Sequence, residues 1–249
     1  MIKIEETQVM GLGPAIRGMR NPMNSWDKSD SEYCAFIGGC ERCYLHNDNT
    51  DECSKLNYAM DHFVIGPNDH DLAMRLIKGG PVEAKFRRQI FVSVNITGPL
   101  LWWKEFDTYK IGTTANSCST MHKIHAKEFV LGDFTHENLR PRSLNILMET
   151  INELNYWRDI FINGGTDDSS GSVKVFEPKD REAWRQMIDL LPTTYNQMRT
   201  ITFNYEVLAG MYKSRKNHKL REWRDLCEWM LTLPYSEFIT GKVSEDGKS

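Results

Sequence analysis

Between Glu105 and His122, Thr113, Thr114, Asn116, Ser117 and Ser119 crowd small hydroxyl and amide side chains into one short run. Such groups, together with free backbone N–H groups, suit the oxygens of a phosphate or a sugar. The same composition also makes an ordinary polar surface turn. Cys118 lies in the run, with His122 four residues on and His125 beyond it. A cysteine beside a base is a common nucleophile, and a packed or bystander thiol is the plainer alternative. A second cluster comprises Cys34, Cys40, Cys43 and Cys53, with His46 close by. Its Cys40-to-Cys43 spacing is a C-x-x-C, and zinc favours tetrahedral thiolate sites of that kind. A metal there would staple a loop that has no core of its own. The overall spacing matches no standard zinc ribbon, and reduced cysteines in an insertion are the alternative. Asp69-His70-Asp71 reads as a helix N-terminus.

The run from Tyr109 to Met121 resembles the signature of flavin-dependent thymidylate synthases, R-H-R-x-x-S-x-N-x-x-S-x-R. Thr114, Asn116 and Ser119 fall on its Ser, Asn and Ser without a gap, and Glu105 or Phe106 stands near that family's glutamine. The signature's opening Arg-His-Arg is Tyr109-Lys110-Ile111 here, and its last arginine is Met121. A lysine does not reproduce the bidentate fork of an arginine, and a methionine cannot stabilise developing negative charge.

A second stretch, Leu191-Pro192 through Thr202 and Asn204, is similar to the family's L-P-x-x-x-Y-T-x-x-x-x-T-x-N. A family arginine in it falls on Met198, with Arg199 one place off. Arg215 matches the L-R that follows, and His218, Glu222 and Arg224 lie on H-A-Q-x-E-I-R after one deleted residue. Upstream, Leu76 to Ala84 resembles L-I-x-x-G-H-x-S-P-x-E-H, with Glu83 in place and both histidines missing.

The resemblance implies FAD, a reduced nicotinamide donor (NADPH), methylenetetrahydrofolate and a deoxyuridylate-type nucleotide. The implied reaction is reductive one-carbon transfer to the pyrimidine C5. By the same resemblance Lys110, Thr114, Asn116 and Asn204 would contact the cofactor. Glu105, Ser117, Ser119, Arg215, Glu222 and Arg224 would contact the substrate, with Ser119 and Arg224 closest to the chemistry. The family's homotetramer implies a homo-oligomer. A diverged relative that binds or modifies another pyrimidine nucleotide, or a non-catalytic interaction protein, is the rival reading.

The elements that must position these residues follow from periodicity. Ile2-Lys3-Ile4 opens a strand. Asn68 caps a helix through Leu72, Leu76 and Ile77, stopped by Gly79-Gly80-Pro81. Residues 89–97 alternate as a strand, with Ile90, Val92, Val94 and Ile96 on one face and Phe91, Ser93 and Asn95 on the other. Pro99 suits the start of the next helix. Residues 143–162 carry Leu144, Leu147, Ile151, Leu154 and Phe161 at helical spacing. Gly164 to Ser172 reads as a loop, Pro178 as the start of a further helix, and the last third as long helices. These features predict an α+β fold with a central β-sheet and helix in excess. The organisation expected is one domain over 1–241, with a Cys-containing, loop-rich insertion at 24–67 and a polar tail at 242–249.

The 249 residues are ample for a core, and 40% apolar with 26% charged residues is ordinary for a globular chain. A formal charge of −3 argues against general nucleic-acid or anionic-membrane binding. With no secretion signal and no apolar run long enough to span a bilayer, the expected location is the cytoplasm.

Overall fold

The computed structural model describes residues 1–33 and 63–242. In chain order it contains β1 (Lys3–Met10), α1 (Leu12–Arg20), β2 (Glu32–Tyr33), β3 (Phe63–Val64), α2 (Pro67–Gly79), β4 (Phe91–Pro99), α3 (Leu100–Phe106) and β5 (Thr113–Ser117). There follow α4 (Pro141–Asn163), β6 (Gly165–Asp167), β7 (Lys174–Phe176), α5 (Arg181–Leu190), β8 (Asn196–Asn204), α6 (Tyr205–Arg215), α7 (Arg221–Met230) and α8 (Glu237–Thr240). The central sheet is antiparallel with strand order β1-β4-β8-β5, and β2-β3 and β6-β7 form small two-stranded sheets. Among the described residues helix exceeds strand, 48% against 20%, as the α+β reading requires. The chain divides into two compact units. The first comprises Met1–Lys3, Thr97–Asp107 and Asn116–Arg199, the second Ile4–Ile96, Thr108–Ala115 and Thr200–Ser249.

In the second unit, strand alternation sets the core. Val92, Val94, Ile96, Ile201 and Phe203 are wholly buried, as are Leu208 and Met211 of α6 and Trp223, Leu226 and Met230 of α7. The alternate residues of β4, Ser93 and Asn95, stay half-buried, so the period-2 pattern places its polar set on the other face. Asp69 is a buried hub here. Its carboxylate accepts hydrogen bonds from Arg20 Nε at 2.5 Å, Ser29 Oγ at 2.6 Å and Ser31 Oγ at 2.5 Å. Burial alone would push this carboxyl up, but those hydrogen bonds and the Arg20 charge hold it below its ordinary value.

In the first unit, α4 and α5 enclose Ile124, Phe129, Leu147, Ile151, Leu154, Trp157 and Met187. The wholly buried Trp103 of α3 donates from Nε1 to the Gln197 carbonyl at 2.9 Å.

Three local expectations shift. Helix α2 begins at Pro67, and its cap comes from far upstream: Asp30 accepts from the backbone N–H groups of Asn68 (2.9 Å) and Asp69 (3.1 Å). Helix α5 begins at Arg181 rather than Pro178, because the Asp180 side chain caps it by accepting from Glu182 N–H at 2.7 Å. The loop expected at Gly164 to Ser172 is partly a hairpin, pairing Gly165 with Phe176 and Asp167 with Lys174.

Candidate functional site

The first unit holds an open cavity of about 780 Å³. Its walls include Thr97 of β4, Cys118 to Thr120 beyond β5, Lys123, Lys127, His136 and the Tyr195–Met198 stretch leading into β8. Ser119 Oγ accepts from the His122 N–H at 2.9 Å, which leaves its own O–H to donate outward. Asn196 Oδ1 accepts from Thr135 Oγ1 at 2.8 Å, so its amide N–H groups remain as donors. Lys127 pairs with Asp133 at 2.6 Å, and that hydrogen bond holds its ammonium above the ordinary lysine value. Burial, followed by the Asp133 charge, pushes the Tyr195 phenol up. Glu105, Asn116 and Ser117 belong to the same unit but do not line this cavity.

Strand geometry separates Met198 from Arg199. Neighbouring strand residues point to opposite faces. Met198 lines the cavity, whereas the Arg199 guanidinium lies 4.3 Å over the Trp103 ring. Arg199 also donates to Gln197 Oε1 at 3.0 Å and pairs with Asp107 at 2.6 Å, and Gln197 Nε2 donates to the Cys118 carbonyl at 2.7 Å. Arg199 therefore braces the strand and the Cys118 turn from behind.

The second unit carries Lys110, Thr114, Asn204, Arg215, Glu222 and Arg224. Arg215 Nε donates to the Tyr109 hydroxyl at 3.0 Å, and its guanidinium lies 4.6 Å over the Trp223 ring. Arg224 Nη1 donates to the carbonyls of His218 (2.7 Å) and Lys219 (2.9 Å), so Arg224 grips the turn between α6 and α7, while Arg215 reaches Tyr109 and Trp223. Glu222, in the first turn of α7, is 8% exposed. Asn204 stands at the opposite end of α6, about 16 Å from Arg215 by the helical rise, and caps the helix by accepting from Val207 N–H at 3.0 Å. Gly112 packs beside it. With φ near +76°, any Cβ there would meet the Val207 side chain at 2.8 Å, so both backbone and space require glycine. Lys110 and Thr114 are exposed on either side of that turn.

Arg215 and Arg224 thus flank the turn between α6 and α7, and Asn204 stands at the far end of α6. The structure adds Lys123, Lys127, His136, Tyr195 and Asn196 around Ser119, residues that sequence reading passed over. Tyr195 and Asn196 lie inside the stretch from Leu191 to Asn204, but off the residues that carry its resemblance. The lysines carried no local signal.

Cys34, Cys40, Cys43 and Cys53 lie outside the described residues. Among the described residues, no group of three or more His, Cys, Asp or Glu could hold a metal ion. Cys118 is exposed and free. Cys227 is buried, and burial pushes its thiol up to about 11. No described helix is long and apolar enough to cross a membrane.

No family model matches the chain, and no curated protein matches it. Among solved structures, it is similar to the flavin-dependent thymidylate synthase of Helicobacter pylori complexed with FAD and dUMP. That match covers 94% of this chain and 96% of that one, at a TM-score of 0.55 and 15% identity. A second structure of thymidylate synthase X from the same organism, also with FAD and dUMP, gives the same score and identity over 96% of each chain. At such identity the likeness speaks to fold. The chain has the flavin-dependent thymidylate synthase fold.

Proposed function

We propose that this chain is a flavin-dependent thymidylate synthase-like enzyme. It would use FAD, with NADPH and methylenetetrahydrofolate as co-substrates, to transfer a one-carbon unit to C5 of a deoxyuridylate-type nucleotide. The observation that carries this reading is the ordered pair of motif resemblances, Thr114-Asn116-Ser119 and Thr202-Asn204-Arg215-Arg224, in a chain whose fold matches flavin-dependent thymidylate synthases over nearly its whole length. The donor set fits an anionic nucleotide. In the first unit the Ser119 hydroxyl and the Asn196 amide offer neutral donors beside the Lys123 ammonium, a set that suits phosphate oxygens; the second unit, taken by itself, carries the cations Lys110, Arg215 and Arg224. A bound flavin would supply hydride, and the protein supplies binding, orientation and electrostatics. Ser119 would donate to a phosphate or sugar oxygen. Lys110, Thr114, Asn116 and Asn204 are the proposed cofactor contacts. Glu105, Ser117 and Glu222 are proposed to orient substrate and cations.

A second reading, a diverged relative acting on or only binding another pyrimidine nucleotide, has its own support. Ile111 and Met121 stand at signature arginine positions and are 93% and 45% exposed. Arg199, the nearest substitute for the arginine at Met198, is committed to the opposite face of its strand.

Titration of FAD against the purified protein, followed by flavin fluorescence, tests the cofactor. Calorimetry with deoxyuridylate and deoxycytidylate tests the nucleotide. Saturable FAD with deoxyuridylate preferred supports the first reading, and FAD with only deoxycytidylate supports the second. No saturable FAD at high micromolar protein removes the flavin chemistry.

A further inference from the structure

A second cavity, of about 380 Å³, lies in the second unit along α6, and none of the proposed nucleotide contacts lines it. Its charged residues are Arg87, Glu206, Lys213, Lys216 and Lys242. Arg87, with a side chain only 10% exposed, pairs with Glu206 at 2.6 Å and donates from Nη1 to the Phe238 carbonyl at 3.2 Å. The one acid of the cavity is therefore matched. Lys213, Lys216 and Lys242 have no ion-pair partner among the described residues. Lys216 Nζ lies 5.7 Å from the Tyr212 ring centroid, a contact that leaves its charge uncancelled; with no acid paired to any of the three, the ammonium groups focus a positive field into the concave surface.

The helix dipole accounts for lysines in the last turn of α6, so Lys213 and Lys216 alone would prove nothing. Two further features need another explanation. Lys242 arrives at the same cavity from the chain beyond α8. Gly210 sits in the middle of α6, where alanine would favour the helix by about 1 kcal/mol. A Cβ at Gly210 would meet nothing within 4 Å, and its φ is not positive. Neither backbone nor internal packing calls for glycine there, yet it lines the cavity. The missing side chain keeps the cavity open beside Lys213, so that a ligand can lie close against the helix without meeting a Cβ; the contacts to it come from the lysines, since the helix N–H groups are already paired.

We propose that this cavity binds a phosphoryl anion of two or more charges, as inorganic pyrophosphate or as a small phosphomonoester. Lysine ammonium groups act as rotatable point charges for such a ligand. The volume is at the low end for small-molecule sites, which leaves room for a phosphate with a small organic group and excludes a large cofactor. The proposal is independent of the thymidylate synthase-like reading.

Calorimetry of the full chain with pyrophosphate and with glycerol phosphate tests it, and the tighter of the two identifies the source. Saturable binding that weakens steeply with added salt is expected. Replacing both Lys213→Gln and Lys216→Gln should weaken it about a hundredfold, at about tenfold for each lost charge-assisted contact. Gly210→Leu, which fills the cavity while favouring the helix, should abolish binding with no loss of melting temperature. Lys104→Gln, on α3 in the other unit, should leave it unchanged. The proposal is overturned by an absence of saturable heat at millimolar ligand. It is equally overturned if the double variant binds within about twofold of wild type, or if Lys104→Gln weakens binding as much as the double variant does.

Discussion

Arg224 holds its own turn before it holds any ligand, since its Nη1 donates to two carbonyls at His218 and Lys219. Arg224→Ala therefore loses stability, about 1–2 kcal/mol for two part-exposed hydrogen bonds. If it also faces the nucleotide phosphate, deoxyuridylate affinity should fall by about ten- to a hundredfold as a charge-assisted contact is lost. Ser119→Ala should cost less, on the order of 1 kcal/mol of binding, because its hydroxyl is neutral. Denaturant melts and calorimetry separate the two effects. An Arg224→Ala protein that is destabilised but binds as tightly as wild type would confine the residue to its turn. Asp69 gives a pH-dependent counterpart. Its carboxyl is held below the ordinary 3.8, so the stability it contributes is fully present above about pH 4 and is lost as pH falls through the lowered value. Asp69→Asn should cost about 3 kcal/mol near neutrality, since it strands the buried Arg20. The gap to wild type should narrow below about pH 4. Equal gaps at pH 6 and pH 3, measured by urea melts, would mean that the charge contributes nothing.

At the scale of elements, β8 shows what a sequence alignment hides. Met198 and Arg199 are neighbours in the chain, but strand parity sends one to a cavity and the other onto Trp103. Met198→Arg should place a guanidinium at the cavity and tighten a nucleotide monophosphate by about tenfold. Arg199→Ala should instead lose about 1–2 kcal/mol of stability through its stacking and hydrogen bonds, with little change in affinity. Calorimetry on the two variants decides, and the reverse pattern would reject this parity. The same strand logic made β4 legible, because Val92, Val94 and Ile96 repeat every second residue, a periodicity written within the segment itself whatever covers it. Helix α4 was legible through Leu147, Ile151 and Leu154 for the same reason. The start of α2 was not, because its cap, Asp30, is remote in sequence. The lysines and Tyr195 around Ser119 were equally invisible, since only the fold brings Lys123 and Tyr195 to one cavity.

For the whole molecule, the open question is what covers Ile111. Scattered exposed apolar residues are normal on a protein surface and need no explanation singly. Ile111 differs in place and degree: it is 93% exposed within the turn between Lys110 and Gly112, where the resembled signature carries an arginine. A second copy of the chain would explain an isoleucine there, and the proposed assembly is a homo-oligomer, a tetramer by the resemblance. Sedimentation equilibrium should then give a mass above that of the 28.9 kDa chain at micromolar concentration. Burying an isoleucine side chain is worth about 1.5–3 kcal/mol. Ile111→Lys should accordingly weaken self-association about ten- to a hundredfold and move the equilibrium towards smaller species, without lowering the melting temperature of the isolated chain. A wild-type protein that sediments as a clean monomer would end the oligomer proposal. An oligomer that Ile111→Lys leaves intact would keep the assembly but move its interface elsewhere, and Ile111 would then be a solvent-facing replacement for a lost arginine.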